Sequence, residues 1–154
     1  MPAIDRKYAK RYTVCRIAGV HACMKRGYSM LNQFSRTELL IGKDGISKLR
    51  DARVAVFGIG GVGGYAVEAL VRSGVGTLDL IDDDKICLTN LNRQLHATRK
   101  TIGKYKADVA KERALDINPD IIVNVHKTFY LPETSGEFDF SEYDYVIDAI
   151  DTVT

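Results

Sequence analysis

The sequence predicts an α/β fold of the Rossmann-like, doubly wound type, with a mostly parallel sheet and helices on both faces. Three observations predict it. Short apolar strands alternate with helical segments, a glycine-rich loop joins the first strand of this series to a helix, and acidic residues follow two of the strands. The chain has 154 residues, of which 45% are hydrophobic and 27% are charged. This composition excludes a disordered chain and a disulfide-dense mini-domain.

Helices and strands alternate along most of the chain. Residues 34–50 have apolar side chains at helical spacing, but Gly42 and Gly45 interrupt them, so two short helical pieces are expected. Gly74 and Pro119 then end two longer helices. Those helices are expected at residues 61–73 and 104–117, and strands at residues 53–57, 77–81, 121–126 and 143–148. Because four strands make a small sheet of this type, we expect a domain truncated on its C-terminal side.

The net charge of +2 hides an uneven distribution. Residues 1–29 hold seven Lys or Arg and one Asp, a net charge of +6, whereas residues 30–154 carry a net charge of −4. We expect a basic N-terminal extension at 1–29, ancillary to a nucleotide-binding domain at 30–154. Such an arm could touch nucleic acid or an anionic surface. Only three cysteines and no long apolar run are present, which favours a cytoplasmic protein without a membrane span.

The glycine-rich loop indicates a site for a nucleotide. Gly58, Gly60, Gly61 and Gly63 follow a predicted strand and open a predicted helix. Glycines allow a tight turn and a close approach to phosphate, and the start of a helix offers free N–H groups. Asp82 ends the next strand, where a carboxylate can accept hydrogen bonds from ribose hydroxyls. NAD and ATP both fit this pattern.

Cations after the second strand favour ATP over NAD. A triphosphate carries more negative charge than the pyrophosphate of a dinucleotide, which backbone N–H groups alone can hold. Asn90, Arg93 and Lys106 are surplus to an NAD site. The guanidinium of Arg93 can bind two phosphate oxygens at once, whereas Lys106 would act as a point charge.

Taken together, these motifs resemble a known family. In one order the chain contains Gly58-x-Gly-Gly-x-Gly63, Asp82-x-Asp84, Asn90-x-x-Arg93-Gln94, Lys106, Ile117-Asn-Pro119 and Asp148-x-x-Asp151. They resemble the ATP-dependent adenylating family that contains the ubiquitin-activating enzymes and the activators of sulfur-carrier proteins. The resemblance covers residues 34–154 and implies that residues 30–154 are an adenylation domain that uses ATP and Mg²⁺.

Two further segments are similar to one branch of this family, the one that dehydrates threonylcarbamoyladenosine in tRNA. They are Asn92-Arg-Gln-Leu-His-Ala97 and Val146-Ile-Asp-Ala-Ile-Asp151 followed by Thr152. The resemblance implies adenylation of the threonyl carboxylate of a modified tRNA and then ring closure. Adenylation of the C-terminal Gly-Gly of a ubiquitin-like or sulfur-carrier protein is the alternative. An NAD-binding oxidoreductase and a binding module without turnover are further alternatives.

The resemblance also implies a role for each matched residue. The four glycines would cradle the phosphates, Asp82 would bind the ribose and Asp84 would shape the site. Asn90 and Arg93 would hold phosphates in the transition state. Lys106 would contact the α- and β-phosphates.

The remaining implied roles concern the metal and the partner subunit. Asp151 would help to bind Mg²⁺, a cation that prefers oxygen ligands. Arg36 would be donated across a homodimer to the partner's triphosphate. Cys87 is expected to be packed and structural rather than a thioester-forming residue, and His96 is not assigned to the site.

Overall fold

The computed structural model describes residues 12–17, 20–25, 31–131 and 133–151. None of the helices in this part of the chain combines the length and the apolar character that a membrane crossing requires. The elements in chain order are β1 Tyr12–Ile17, β2 Val20–Lys25, α1 Ser35–Asp51, β3 Arg53–Phe57, α2 Gly63–Ser73, β4 Thr77–Ile81, α3 Lys106–Ile117, β5 Ile122–His126 and β6 Tyr145–Asp148. Short 3-10 turns lie at Leu88–Asn92, Ser135–Glu137 and Phe140–Glu142.

Strands β3 to β6 form one sheet in the order β5-β4-β3-β6, and every neighbouring pair is parallel. The chain winds outward from β3 to β4 and β5, and then returns to place β6 on the other side of β3. The winding direction therefore reverses between β3 and β6. Ligand clefts in open α/β sheets form at this reversal, beyond the carboxyl ends of the strands. The predicted parallel, Rossmann-like sheet is confirmed.

Helices α2 and α3 cover one face of the sheet and contact each other. Branched side chains from the strands meet small side chains of α3, such as Ala107, Ala110 and Ala114, which let that helix approach closely. Glu68 of α2 binds Arg113 of α3 at 2.6 Å and joins the two helices at their exposed side. The buried members of this core are Val54, Val56, Ile59, Val67, Val71, Val75, Leu78, Leu80, Ala107, Ala110, Ala114, Ile121 and Val123.

Aromatic side chains cover the second face. Phe57 of β3 makes edge-to-face contacts with Tyr130 and Phe138, with ring centroids 5.1 and 5.3 Å apart. Within the described residues this cover comes from the segment 129–143, which forms only two short 3-10 turns, whereas the sequence predicts helices on both faces. Aromatic rings bury a large apolar area without regular spacing. The helical periodicity of the sequence therefore does not reveal this segment.

The N-terminal elements β1, β2 and α1 precede the strands of this sheet in the chain. Gly42 has φ 75° and ψ 174° and divides α1 into two helical pieces, as predicted. Strands β1 and β2 form an antiparallel hairpin, to which the sequence assigned no element. The structure describes residues 1–29 only at 12–17 and 20–25, and their ancillary role stays a prediction.

A buried acid on the second face binds Arg53, which in turn contacts the covering segment. Asp79, in the middle of β4, is completely buried and accepts hydrogen bonds from Arg53 at 2.9 and 3.1 Å, from His126 at 3.0 Å and from Asn124 at 3.2 Å. Burial raises the pKa of this carboxyl, but the hydrogen bonds outweigh it and hold the pKa below its ordinary value. The guanidinium of Arg53 also lies 4.8 Å from the ring centre of Tyr143. Sequence reasoning missed this cluster, whose members are far apart along the chain.

We expect the substitution Arg53→Met to lower the free energy of unfolding by about 3 kcal/mol, because it leaves the buried Asp79 without its charged partner. Chemical unfolding followed by circular dichroism measures the change. Arg72→Met is the matched control, since Arg72 pairs with Glu68 at the exposed surface, where such a pair contributes about 0–1 kcal/mol. Equal losses of unfolding free energy in the two variants would contradict the stabilising role of the contact between Arg53 and Asp79.

Candidate functional site

A cleft of about 470 Å³ opens beyond the carboxyl ends of the strands, at the point where the winding reverses. The loops after β3, β4, β5 and β6 surround it, together with the 3-10 turn at Leu88–Asn92 and the start of α3. All the predicted site residues except Gly63 and Arg36 line it, namely Gly58, Gly60, Gly61, Asp82, Asp84, Asn90, Arg93, Lys106 and Asp151.

Two of the loop glycines are required by packing. Gly58 has φ +84°, and a Cβ there would lie 2.8 Å from the carbonyl oxygen of Ala149, just after β6. A Cβ at Gly63 would lie 1.8 Å from the carbonyl oxygen of Gly58. Gly63 is buried behind the loop and does not line the cleft. Gly63 therefore has a packing role, since it lets α2 begin directly against the loop, and its expected phosphate contact stays a prediction.

The other two glycines face the cleft. The nearest atoms to a Cβ at Gly60 or Gly61 would be 3.8 and 3.7 Å away, on Gln94 and Arg93. In the part of the chain that the structure describes, the N–H groups of Gly60 and Gly61 donate to no acceptor. Helix α2 begins two residues later and adds the positive end of its dipole. This loop can bind an anion such as phosphate.

Asp82 joins the glycine loop to the turn after β4. Its Oδ2 accepts the N–H of Ile59 at 2.6 Å, and its Oδ1 accepts the N–H of Asp84 at 2.8 Å. Burial is the strongest influence on this carboxyl and raises its pKa, although the N–H bonds and Lys106 act in the opposite direction. Each carboxylate oxygen keeps one further acceptor position, so the expected hydrogen bonds to ribose stay a prediction.

Asp84 orients the lysine of the site. The Nζ of Lys106 lies 2.6 Å from Oδ2 of Asp84, and the lysine side chain is 8% exposed against 68% for the aspartate. The backbone repeats the link, because the N–H of Lys106 donates to the carbonyl of Asp84 at 3.0 Å. The sequence predicted that Asp84 lies nearby, but nothing in it signals a contact between residues that are 22 positions apart.

Arg93 and Asn90 provide further donors. The Nη1 of Arg93 donates to the carbonyl of Thr89 at 3.2 Å and to Asn92 at 3.1 Å, and no carboxylate among the described residues pairs with its guanidinium. Asn90 is buried, and its Oδ1 accepts the N–H of Cys87 at 2.9 Å, which caps the 3-10 turn. Cys87 is exposed, so the expectation of a packed cysteine is wrong; the cysteine starts this turn at the surface.

The predicted metal ligand and the predicted partner arginine lie in different places. Asp151 is exposed and lines the cleft. The described residues contain no cluster of three or more His, Cys, Asp or Glu that could hold a metal. Mg²⁺ at Asp151 would therefore take most of its ligands from phosphate and water, as this ion often does. Arg36 is exposed on α1 and does not line the cleft of its own chain.

Two buried polar side chains beside the loop have no assigned role from the sequence. Gln94 is 6% exposed and His96 is 4% exposed, and the Oε1 of the glutamine and the Nε2 of the histidine have no hydrogen-bond partner among the described residues. The ring of His96 lies under the start of α2, 3.1 Å from where a Cβ at Gly64 would be. Burial, with Lys106 and Arg113 nearby, lowers the pKa of His96 to about 4. His96 is therefore neutral at physiological pH.

Comparisons with known proteins agree with this geometry. A family model described as the ThiF family matches residues 34–154. The chain is 53% identical over 124 residues to tRNA threonylcarbamoyladenosine dehydratase of Bacillus subtilis, covering 80% of this chain and 49% of the relative. It is 43% identical over 112 residues to an adenylyltransferase and sulfurtransferase of Aspergillus niger, covering 72% of this chain and 23% of the relative.

Solved structures show the same likeness. The crystal structure of the Escherichia coli tRNA N6-threonylcarbamoyladenosine dehydratase in complex with ATP superimposes with a TM-score of 0.77 at 45% identity, covering 79% of this chain and 50% of that one. The chain spans about half the length of the dehydratases that it matches.

We expect the free energy of unfolding to fall as the pH is lowered from 6.5 to 4. The folded state lowers the pKa of His96 from 6.5 to about 4, so in this range the unfolded chain binds a proton that the folded chain does not. The loss should reach about 3 kcal/mol at most. Urea unfolding at pH 7 and pH 4.5 measures it, and the variant His96→Gln should show a smaller difference between the two pH values. An NMR titration of the His96 ring with a midpoint near 6.5 would contradict this prediction.

Proposed function

Since this chain belongs to the ThiF family, we propose that it uses ATP to adenylate the carboxylate of threonylcarbamoyladenosine in tRNA. The observation that carries the proposal is the set of hydrogen-bond donors in the cleft. The N–H groups of Gly60 and Gly61 lie on one side, and Arg93 and Lys106 supply positive charge. The tRNA substrate is supported by the Bacillus subtilis relative, and ATP by the Escherichia coli enzyme that binds it.

In the proposed site each residue acts on the nucleotide. Gly58, Gly60 and Gly61 line the phosphates, and Asp82 accepts the ribose hydroxyls while it holds the loop. Arg93 and Asn90 contact the phosphates as the transition state forms. Lys106, oriented by Asp84, contacts the α- and β-phosphates.

The first step joins the threonyl carboxylate to AMP. A carboxylate oxygen attacks the α-phosphorus, the new P–O bond forms, and the bond to pyrophosphate breaks. The residues of the cleft align the attack and offset the charge that develops on the phosphates. Mg²⁺, bound by Asp151, would neutralise part of the phosphate charge. Adenylation requires no nucleophilic side chain, so the exposed Cys87 has no part in it.

The second step closes a ring within the modified nucleotide. A nitrogen of the same threonylcarbamoyl group attacks the acyl carbon, loses its proton, and AMP leaves as the carbon–oxygen bond breaks. The net change is the loss of water. Both reacting groups belong to one molecule, so positioning supplies most of the acceleration.

The quaternary structure and the cell compartment belong to the same proposal. We place the adenylation domain at 30–154, with residues 1–29 ancillary to it, in a cytoplasmic homodimer. Arg36 of one protomer would reach the triphosphate of its partner, which accounts for its exposed position on α1 away from its own cleft.

Adenylation of the C-terminal Gly-Gly of a ubiquitin-like or sulfur-carrier protein is the second candidate. The relative from Aspergillus niger favours it, since it is named an adenylyltransferase and sulfurtransferase. The two candidates share the first chemical step and differ in the molecule that carries the carboxylate.

We expect the substitution Arg93→Ala to weaken the binding of ATP·Mg²⁺ about ten- to a hundredfold, because it removes a charged hydrogen bond worth about 1.5–3 kcal/mol. Isothermal titration calorimetry with ATP·Mg²⁺ and with NAD measures both affinities. Arg72→Ala, which changes an exposed arginine of α2 outside the cleft, should leave ATP binding unchanged. Binding of NAD with no dependence on Arg93 would favour a dinucleotide site and contradict the proposal.

We expect ATP–pyrophosphate exchange only when tRNA carrying threonylcarbamoyladenosine is present, because that nucleotide supplies the attacking carboxylate. The measurement compares this tRNA, the same tRNA without the modification, and a sulfur-carrier protein ending in Gly-Gly. Equal exchange with both tRNAs would contradict the role of the modified nucleotide. Exchange with the protein alone would establish the second candidate.

A further inference from the structure

A short basic loop, residues 98–104, lies in the chain between two residues that line the cleft, Gln94 and Lys106. It contains Arg99, Lys100 and Lys104 and no acidic residue, although residues 30–154 as a whole have a net charge of −4. All three cations are exposed. We propose that this loop binds the phosphodiester backbone of the RNA whose modified nucleotide enters the cleft. The inference rests on the proposed function and deepens it by assigning a contact surface for the RNA.

The loop is held in a fixed shape by hydrogen bonds. The N–H of Gly103 donates to the carbonyl of Ile86 at 2.8 Å, and the N–H of Ile86 donates to the carbonyl of Lys104 at 2.9 Å. The hydroxyl of Thr101 donates to the carbonyl of His96 at 2.9 Å and accepts the N–H of Thr98 at 2.8 Å. A surface that is ordered before binding loses less conformational entropy when a ligand binds.

Both ends of the loop are attached to residues of the cleft. Before it, the N–H of Ala97 donates to the carbonyl of Gln94 at 3.0 Å, and Gln94 lines the cleft. After the loop, Lys106 lies two residues beyond Lys104 and also lines the cleft. The backbone of Tyr105 pairs with that of Lys85, next to Asp84. An RNA strand that contacts this loop would therefore lie at the border of the cleft.

The cations of the loop are available to phosphate. Among the described residues Arg99 and Lys100 form no ion pair, and Lys104 lies 3.8 Å from the exposed Glu112. Lys85 adds a cation beside the loop, with its Nζ 4.9 Å from the ring centre of Tyr105, although the exposed Asp83 and Asp84 precede it. Exposed cations of this kind bind nucleic acid by replacing condensed counterions, whereas the acidic remainder of residues 30–154 repels it.

The test compares two variants that lose the same charge. The loop variant is Arg99→Gln, Lys100→Gln and Lys104→Gln, and the control is Lys43→Gln, Lys48→Gln and Arg50→Gln on α1, where all three side chains are exposed. Fluorescence anisotropy measures the affinity for tRNA carrying threonylcarbamoyladenosine at several salt concentrations, and calorimetry measures ATP·Mg²⁺ binding. A third variant, Lys100→Arg and Lys104→Arg, keeps the charge.

We expect the loop variant to bind tRNA at least about tenfold more weakly at low salt. Its slope of log K against log salt should fall by about 2, since each lost phosphate contact removes about 0.7–0.9. ATP binding should be unchanged, and the charge-keeping variant should bind tRNA as the wild type does.

Three results would overturn the inference in distinguishable ways. If wild-type exchange depends on modified tRNA but the loop variant binds that tRNA normally, the proposed function stands and the loop assignment is wrong. The same holds if the α1 control loses as much affinity as the loop variant. If the wild type binds no tRNA that carries threonylcarbamoyladenosine, the RNA substrate and the loop assignment both fail.

Discussion

The buried carboxylate of Asp82 is the interaction on which the cleft depends, because its two oxygens join the glycine loop to the turn after β4. One oxygen holds the N–H of Ile59 in the glycine loop, and the other holds the N–H of Asp84 in the turn after β4. Asp84 in turn binds Lys106 at the start of α3. One acid thus sets the positions of the glycine loop and of a cation 24 residues further along the chain. The same loop approaches the residue after β6 and the start of α2 closely because Gly58 and Gly63 have no side chain.

Pairing within the cleft determines which charge is available to a ligand. Burial removes water from the charged amino group of Lys106, which is costly when no partner compensates the charge. Asp84 provides that compensation at 2.6 Å. The same contact reduces the charge that Lys106 can offer to phosphate. Arg93 differs, since no carboxylate in the described part of the chain pairs with it and its guanidinium stays exposed. Arg93 can therefore offer its whole charge to a phosphate, whereas Lys106 offers a partly compensated charge at a fixed position.

The sequence predicts those parts of the molecule that depend on neighbours along the chain. Short apolar runs locate the strands, and the glycine loop followed by an acid locates the cleft, because strand, loop and helix are consecutive. Contacts between distant residues give no such signal. Asp79 interrupts the apolar strand Thr77–Ile81, but its partner Arg53 is 26 positions away and His126 is 47 away. Gly63 shows the same limit, since motif spacing does not signal that this glycine is needed for packing against the carbonyl of Gly58. A contact between Arg36 and a partner subunit, as proposed here, becomes visible only in a structure that contains both chains.

The cleft cannot by itself select the carboxylate. Attack on the α-phosphorus requires the same alignment and charge compensation whether the carboxylate belongs to a nucleotide or to a protein C-terminus. Relatives named for tRNA modification and for adenylyl transfer both match this part of the chain. Discrimination must therefore come from surfaces that touch the rest of the substrate, where unlike charges attract one partner and like charges repel another. The loop at residues 98–104, with three cations and no acid in a region of net charge −4, would favour a polyanion over a peptide tail that carries a single carboxylate. On the proposed function, the surface around the cleft would select the substrate, while the residues that line the cleft would carry out the chemistry.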